Sequence, residues 1–167
     1  MTYGQVRLER VAQTEKSKST QGQSEKTNPA SANDCSLLTS AMLEKALGQA
    51  LSGKPLAQEA PPMYGGASGW NCTYYVGQQN HGGLMVQFSV YTEASAAKAK
   101  QDFDTYAVAA DDSRGKPSIG DSAYWVVPNK TTLLLFVLKG KVHFNLALTP
   151  ANEKQLADLA AQVAAHI

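Results

Sequence analysis

The sequence predicts an α+β domain: a five-stranded antiparallel sheet with helices packed on one face, in the order α-β-β-α-β-β-β-α. Three observations predict it. Three stretches alternate apolar and polar residues with a period of two and two more, 121 to 127 and the nearly continuous apolar run 131 to 138, read as strands, so that the five fall as a pair and a triplet on either side of one helical pattern. Short Gly-containing connections, Gly77 to Gly83 and Lys139-Gly140, join neighbouring strands as hairpins, which makes the sheet antiparallel. Apolar residues recur at intervals of three and four after Thr39, Thr92 and Thr149, the spacing of a single buried helix face.

Size and composition agree with one domain and a tail. The chain has 167 residues, 43% hydrophobic and 17% charged. Residues 1 to 34 are mostly Ser, Thr, Gln, Lys and Glu, with hardly a bulky apolar side chain after Val11. Such a segment cannot bury enough apolar area to offset an ordering entropy of about 1–2 kcal/mol per residue. It is expected to be a flexible N-terminal tether, with residues 35 to 167 forming the domain. The competing reading is a short helical turn docked through Val6, Leu8 and Val11. Fifteen Lys and Arg against fourteen Asp and Glu leave a formal charge of +1, so no electrostatic argument supports a nucleic-acid partner. No apolar run approaches the roughly 18 residues of a membrane span, and the first thirty residues lack the apolar core of a signal peptide. Attachment to a membrane would then rest on a signal-bearing or lipid-anchored segment upstream of the tail.

In chain order, Thr39 caps a helix through about Leu47, with Leu43, Ala46 and Leu47 on one face and Gly48 as the stop. Residues 49 to 68, with Gly53, Pro55, Pro61-Pro62 and Gly65-Gly66, read as a long loop. Trp70, Cys72, Tyr74 and Val76 then point to one face of a strand, and Leu84, Val86, Phe88 and Val90 repeat the code on its return. A helix capped by Thr92 carries Ala96, Ala99, Phe103, Tyr106, Ala107 and Ala110. Strands follow at 121 to 127, at the nearly continuous apolar run 131 to 138, and at Val142 to Leu148. The last helix is expected to start at Thr149-Pro150 and to bury Leu156, Leu159, Ala160, Val163 and Ile167.

Chemistry-bearing residues are few. Cys35 and Cys72 are the only cysteines, one just before the first helix and the other on the apolar side of the first strand. A structural disulfide is the expected state; two inert buried thiols, or a redox or metal role, are the alternatives, the last disfavoured by the absence of CxxC spacing. His81, His143 and His166 have no second ligand or acid at motif spacing, so no metal site is expected. Ser113 lies outside any nucleophile-elbow pattern, and no GxGxxG, P-loop, HExxH or EF-hand spacing occurs, so no catalytic residue or cofactor is assigned. Asn71-Cys72-Thr73 and Asn129-Lys130-Thr131 match the short glycosylation pattern, which matters only in a eukaryotic secretory pathway.

Cys35-Ser36-Leu37-Leu38-Thr39 with Leu47-Gly48, Cys72-Thr73-Tyr74, Ile119-Gly120-Asp121-Ser122-Ala123-Tyr124 and the closing amphipathic helix resemble a group of bacterial envelope domains of unknown function. Many members of that group are tethered lipoproteins. The resemblance spans about residues 35 to 167 and implies a disulfide between the two cysteines and a PsbP-like α/β sandwich. It brings no catalytic residues. Met42 departs from the pattern, standing where an acidic residue would complete the capping box.

The function expected from all this is a non-catalytic extracytoplasmic binding module of the bacterial cell envelope, periplasmic or cell-surface, taking a protein, a glycan or a small apolar ligand. The alternative is an envelope hydrolase with a site near the 49 to 68 loop. Strand phase nominates the binding face. A two-residue turn at Lys139-Gly140 would set Leu133, Leu135 and Val137 opposite Leu146, Phe144 and Val142 on the core side. The other side would then carry Leu134, Phe136, His143 and Asn145, together with Tyr75, Gln87 and Tyr91 from the first hairpin. Aromatic and apolar side chains among amides on a nominally wet face suit a partner surface, unless a loop or the tail covers them.

Overall fold

The computed structural model describes residues 35–61, 67–77, 83–111 and 114–167, the side chain of Ala109 excepted. The expected N-terminal tether lies outside these residues, as do His81, Ser113, most of the Gly77 to Gly83 connection and the Pro62 to Gly66 part of the long loop. No helix among the described residues is long and apolar enough to cross a membrane.

The sheet has six strands, which corrects the five expected. They are β1 (Leu56–Ala60), β2 (Ser68–Val76), β3 (Leu84–Thr92), β4 (Ser122–Val126), β5 (Leu133–Lys139) and β6 (Val142–Thr149). Helix α1 (Ser40–Leu47) precedes them, α2 (Ala96–Tyr106) separates the two triplets, and α3 (Glu153–Ala164) closes the chain. The order is therefore α-β-β-β-α-β-β-β-α. Strand β1 was missed because it is an edge strand: its first four residues are exposed, so no apolar alternation marks it, and the Pro and Gly around it read as loop. All pairings are antiparallel in the spatial order β1-β2-β3-β6-β5-β4.

The β5–β6 hairpin keeps the expected face for every residue but shifts its register by two. Leu133, Leu135 and Val137 pair with Leu148, Leu146 and Phe144, and Lys139 pairs with Val142, so Gly140 and Lys141 form the turn. Gly140 takes a left-handed φ of 58°, as such a turn requires. Asp121 braces it: its carboxylate accepts from the Gly140 amide at 2.7 Å and from Lys139 Nζ at 3.2 Å. These bonds, the Gly140 amide first, hold the Asp121 carboxyl below its usual range. Gly120, with φ 63°, lets the backbone approach Leu138 closely enough that a Cβ would collide with its carbonyl oxygen.

The helices do not share one face, a second correction. Leu43 and Leu47 of α1 and Leu156, Leu159, Ala160 and Val163 of α3 join Val86, Phe88, Val90, Leu135, Val137, Phe144 and Leu146 in the main core. Helix α2 packs on the opposite side, where Ala99 and Phe103 meet Tyr124, Phe136 and Leu138. Its polar composition hides this role, since the stripe that reaches the sheet is narrow. The caps also differ from expectation in two places. Ser95 rather than Thr92 caps α2, and Asn152 rather than Thr149 caps α3, because Thr92 and Thr149 are still held in strand pairing. Thr39 caps α1 as expected, accepting from the Met42 amide at 3.2 Å without an acidic partner.

Cys35 and Cys72 are bonded, with Cα atoms 5.8 Å apart. The bond ties the 3-10 turn Cys35–Leu37 to β2. Tyr74 reinforces the tie, its buried hydroxyl donating to the carbonyls of Leu38 at 2.7 Å and Cys35 at 3.1 Å.

Candidate functional site

The register lays out the outer sheet face as rows of side chains. One row runs Gln58, Asn71, Ser89, Asn145, Phe136 and Tyr124 across the six strands; the next runs Leu56, Thr73, Gln87, Ala147, Leu134 and Val126. Tyr75 lies in a third row beside Met85 and Thr149. Tyr91 and His143 lie in a fourth, between Gly69 and Leu138. All seven residues nominated from sequence are thus on one face, but they do not form one surface.

At one end, α2 roofs the face. Tyr124 and Phe136 stack with ring centroids 5.1 Å apart, Tyr106 lies over Phe136 at 6.2 Å, and Phe103 meets Tyr124 at 4.8 Å. The Tyr124 hydroxyl donates to the Phe103 carbonyl at 3.3 Å. Burial, with Tyr106 and Asp104 nearby, pushes its pKa well up. Phe136 is consequently half-buried beneath the helix instead of open to a partner.

Tyr91 and His143 are covered too, at 4% exposure each. Their rings stack at 5.2 Å. The Tyr91 ring fills the space left by Gly69, where a Cβ would collide with it, and packs with Ala60 and Ala67. Burial raises the Tyr91 pKa. For His143, burial lowers the pKa and outweighs the opposing hydrogen bond and charge of Glu93. The small residues Ala60, Ala67 and Gly69 were the available signal that an aromatic ring would be covered at this spot.

What stays open is the middle of the face. A cleft of about 210 Å³ lies between β1 and β5, lined by Gln58, Asn71, Thr73, Gln87, Ser89 and Asn145, with Leu134 and Ala147 beside them. Four strand spacings make this trough about 19 Å wide. No side-chain hydrogen bond among the described residues engages those six polar groups. Gln87 and Asn145 were nominated from sequence and lie at its centre; Gln58, Asn71, Thr73 and Ser89 were missed. The alternation of β2 already placed Asn71 and Thr73 outward, whereas Gln58 sits on the unrecognised β1. Through Gln58, the 49 to 68 stretch also reaches this cleft.

A larger, more open depression of about 540 Å³ lies over Trp125, between Arg114 to Pro117 and the start of α3. Its guanidinium is already engaged by Asp111 at 3.2 Å and Glu153 at 2.7 Å, which leaves the polar cleft as the better-equipped binding surface.

Together these features define a disulfide-tied α+β sandwich whose sheet is covered on one face except along the edge strand β1, and partly on the other. No protein-family model and no curated protein matches the chain. The fold is similar to the crystal structure of the extracellular domain of PknH from Mycobacterium tuberculosis, at 14% identity and a TM-score of 0.50, over 78% of this chain and 92% of that one. At that identity the likeness is one of fold.

Proposed function

We propose that the domain is a non-catalytic extracytoplasmic binding module of the bacterial cell envelope, and that it takes a hydroxyl-rich ligand, a glycan, in the polar cleft of the outer face. The observation that carries the reading is the set of six amide and hydroxyl side chains that have no side-chain hydrogen bond among the described residues, beside the apolar Leu134 and Ala147. Each amide offers a donor and an acceptor on one rigid plane, which matches the paired donor and acceptor capacity of sugar hydroxyls. Apolar patches beside them suit the C–H faces of a sugar ring. The extracytoplasmic placement is supported by the Cys35–Cys72 bond, a feature of oxidising compartments, and by a fold shared with an extracellular domain. A lipid anchor upstream of the tail belongs to the same proposal.

The full chain would be screened on an array of bacterial envelope oligosaccharides, with hits titrated by NMR. Gln87→Ala and Asn145→Ala are each expected to weaken a retained glycan about tenfold, the effect of losing one or two hydrogen bonds. Retention of no glycan, or affinities unchanged by both substitutions, would refute the reading. Turnover of a retained glycan would instead favour the hydrolase alternative.

A further inference from the structure

Beneath α2, away from the open cleft, three metal-ligating side chains from three elements converge. Glu93 directly follows β3, Asp102 comes from α2 and His143 from β6, with exposures of 5%, 4% and 4%. The Glu93 amide donates to the Lys141 carbonyl at 2.9 Å, continuing the β3–β6 ladder and keeping Glu93 on the His143 side of the sheet. One ligand atom from each residue lies within 4.8 Å of the other two. Among the described residues the other charged group acting here is Lys98, one turn before Asp102, whose ammonium holds Asp102 Oδ1.

We infer that Glu93, Asp102 and His143 form a site for a divalent transition-metal ion of the zinc type, with Lys98 as the displaceable cation that occupies Asp102 in its absence. A second observation points to a ligand here. Asp102 Oδ2 is fully buried and has no hydrogen-bond partner among the described residues, a costly state for a buried polar atom. A divalent cation held by the three converging side chains would give that oxygen a partner.

The spacing is suited to this. His143 Nε2 and Glu93 Oε1 are 3.4 Å apart, longer than the 2.7–2.9 Å usual for a charge-assisted bond. Bonds of about 2.0–2.1 Å in tetrahedral geometry set ligand atoms roughly 3.4 Å apart. With ligand atoms up to 4.8 Å apart, Asp102 must approach by at most about 1.4 Å, which it can do once Lys98 releases it. The Lys98 side chain is 31% exposed, so its ammonium has a path to water. One imidazole with two carboxylates favours zinc or its neighbours over magnesium or calcium, which prefer all-oxygen sites.

Chelator-stripped full chain would be titrated calorimetrically with Zn²⁺, and with Mg²⁺ and Ca²⁺ as controls, while Co²⁺ absorption reports coordination. The expected result is one Zn²⁺ per chain, with tetrahedral Co²⁺ bands on the wild-type protein. Asp102→Asn and His143→Gln should weaken Zn²⁺ at least tenfold. Lys98→Met, which removes the competing ammonium, should tighten it. Absence of Zn²⁺ binding to the wild type would overturn the inference, as would binding indifferent to all three substitutions, or weakened by Lys98→Met. If the Asp102 or His143 variant fails to fold, the Lys98→Met titration and the wild-type Co²⁺ spectrum still decide.

Discussion

Replacing both Cys35 and Cys72 by Ala tests the organisation of the N-terminal half of the domain. The bond spans a sequence separation of 37 residues, and closing a loop of that size removes about 4 kcal/mol of conformational entropy from the denatured chain. On the native side each sulfur gives way to hydrogen, which leaves a small void at the buried Cys72, while the Tyr74 hydroxyl still holds the N-terminal turn through the Leu38 carbonyl. For a domain of this size, a loss of 4 kcal/mol lowers the melting temperature by about 10–15 °C. Scanning calorimetry of the oxidised wild type against the double variant measures it, with intact mass after alkylation establishing that the wild type carries no free thiol. A shift under about 3 °C with the bond verified would refute the loop-entropy argument, and would mean that the reduced denatured chain is already held compact over this stretch.

Phe103→Ala should cost about 3–5 kcal/mol in urea unfolding, since its ring is 2% exposed and carries the contact between α2 and Tyr124; a loss under 1 kcal/mol would mean that α2 is loosely seated. Tyr91→Ser, which strand phase alone would treat as a surface change, is expected to lower the melting temperature because the ring is buried against Gly69, and an unchanged melt would contradict that packing. Asp121 has a folded pKa below its unfolded value, so its contribution is present above the unfolded value of 3.8 and is lost as the pH falls through the folded one. The Asp121→Asn variant should therefore melt below wild type at pH 7 and converge with it near pH 2; a gap constant with pH would show that the carboxylate charge is irrelevant. Deleting residues 1 to 33 should leave the melting temperature nearly unchanged, and a drop of many degrees would show that they pack on the domain.

Periodicity made much of the domain legible and failed where one pattern serves two environments. Strands β2, β3 and β6 carry apolar alternation and β5 a nearly continuous apolar run placed by its hairpin with β6, so their faces followed from phase even where the β5–β6 turn slipped by one residue. Strand β1 has no such alternation, because an edge strand with an exposed first four residues gives composition nothing to select. Helix α2 was visible as a helix, but nothing in its spacing says which side of the sheet it covers. That choice decides which outer residues meet water: Gln87 and Asn145 remain at the cleft, while Tyr91, Phe136 and His143 go under cover. His143 shows the same limit from the chemical side. Its neighbours Glu93 and Asp102 come from other elements, so no local spacing could pair them.

The covalent tie also sets how the domain would respond to mechanical load. Tension applied to the chain before Cys35 does not pass through α1 or β1, since the Cys35–Cys72 bond hands it directly to β2. That strand is paired along its length to β3, so the load meets a zipped inner ladder instead of the edge strand β1. The 37 residues bridged by the bond stay slack until it is reduced, withholding about 120–130 Å of contour from any extension. In single-molecule pulling from the N-terminus, the oxidised domain would therefore give a shorter release than the reduced one by that length.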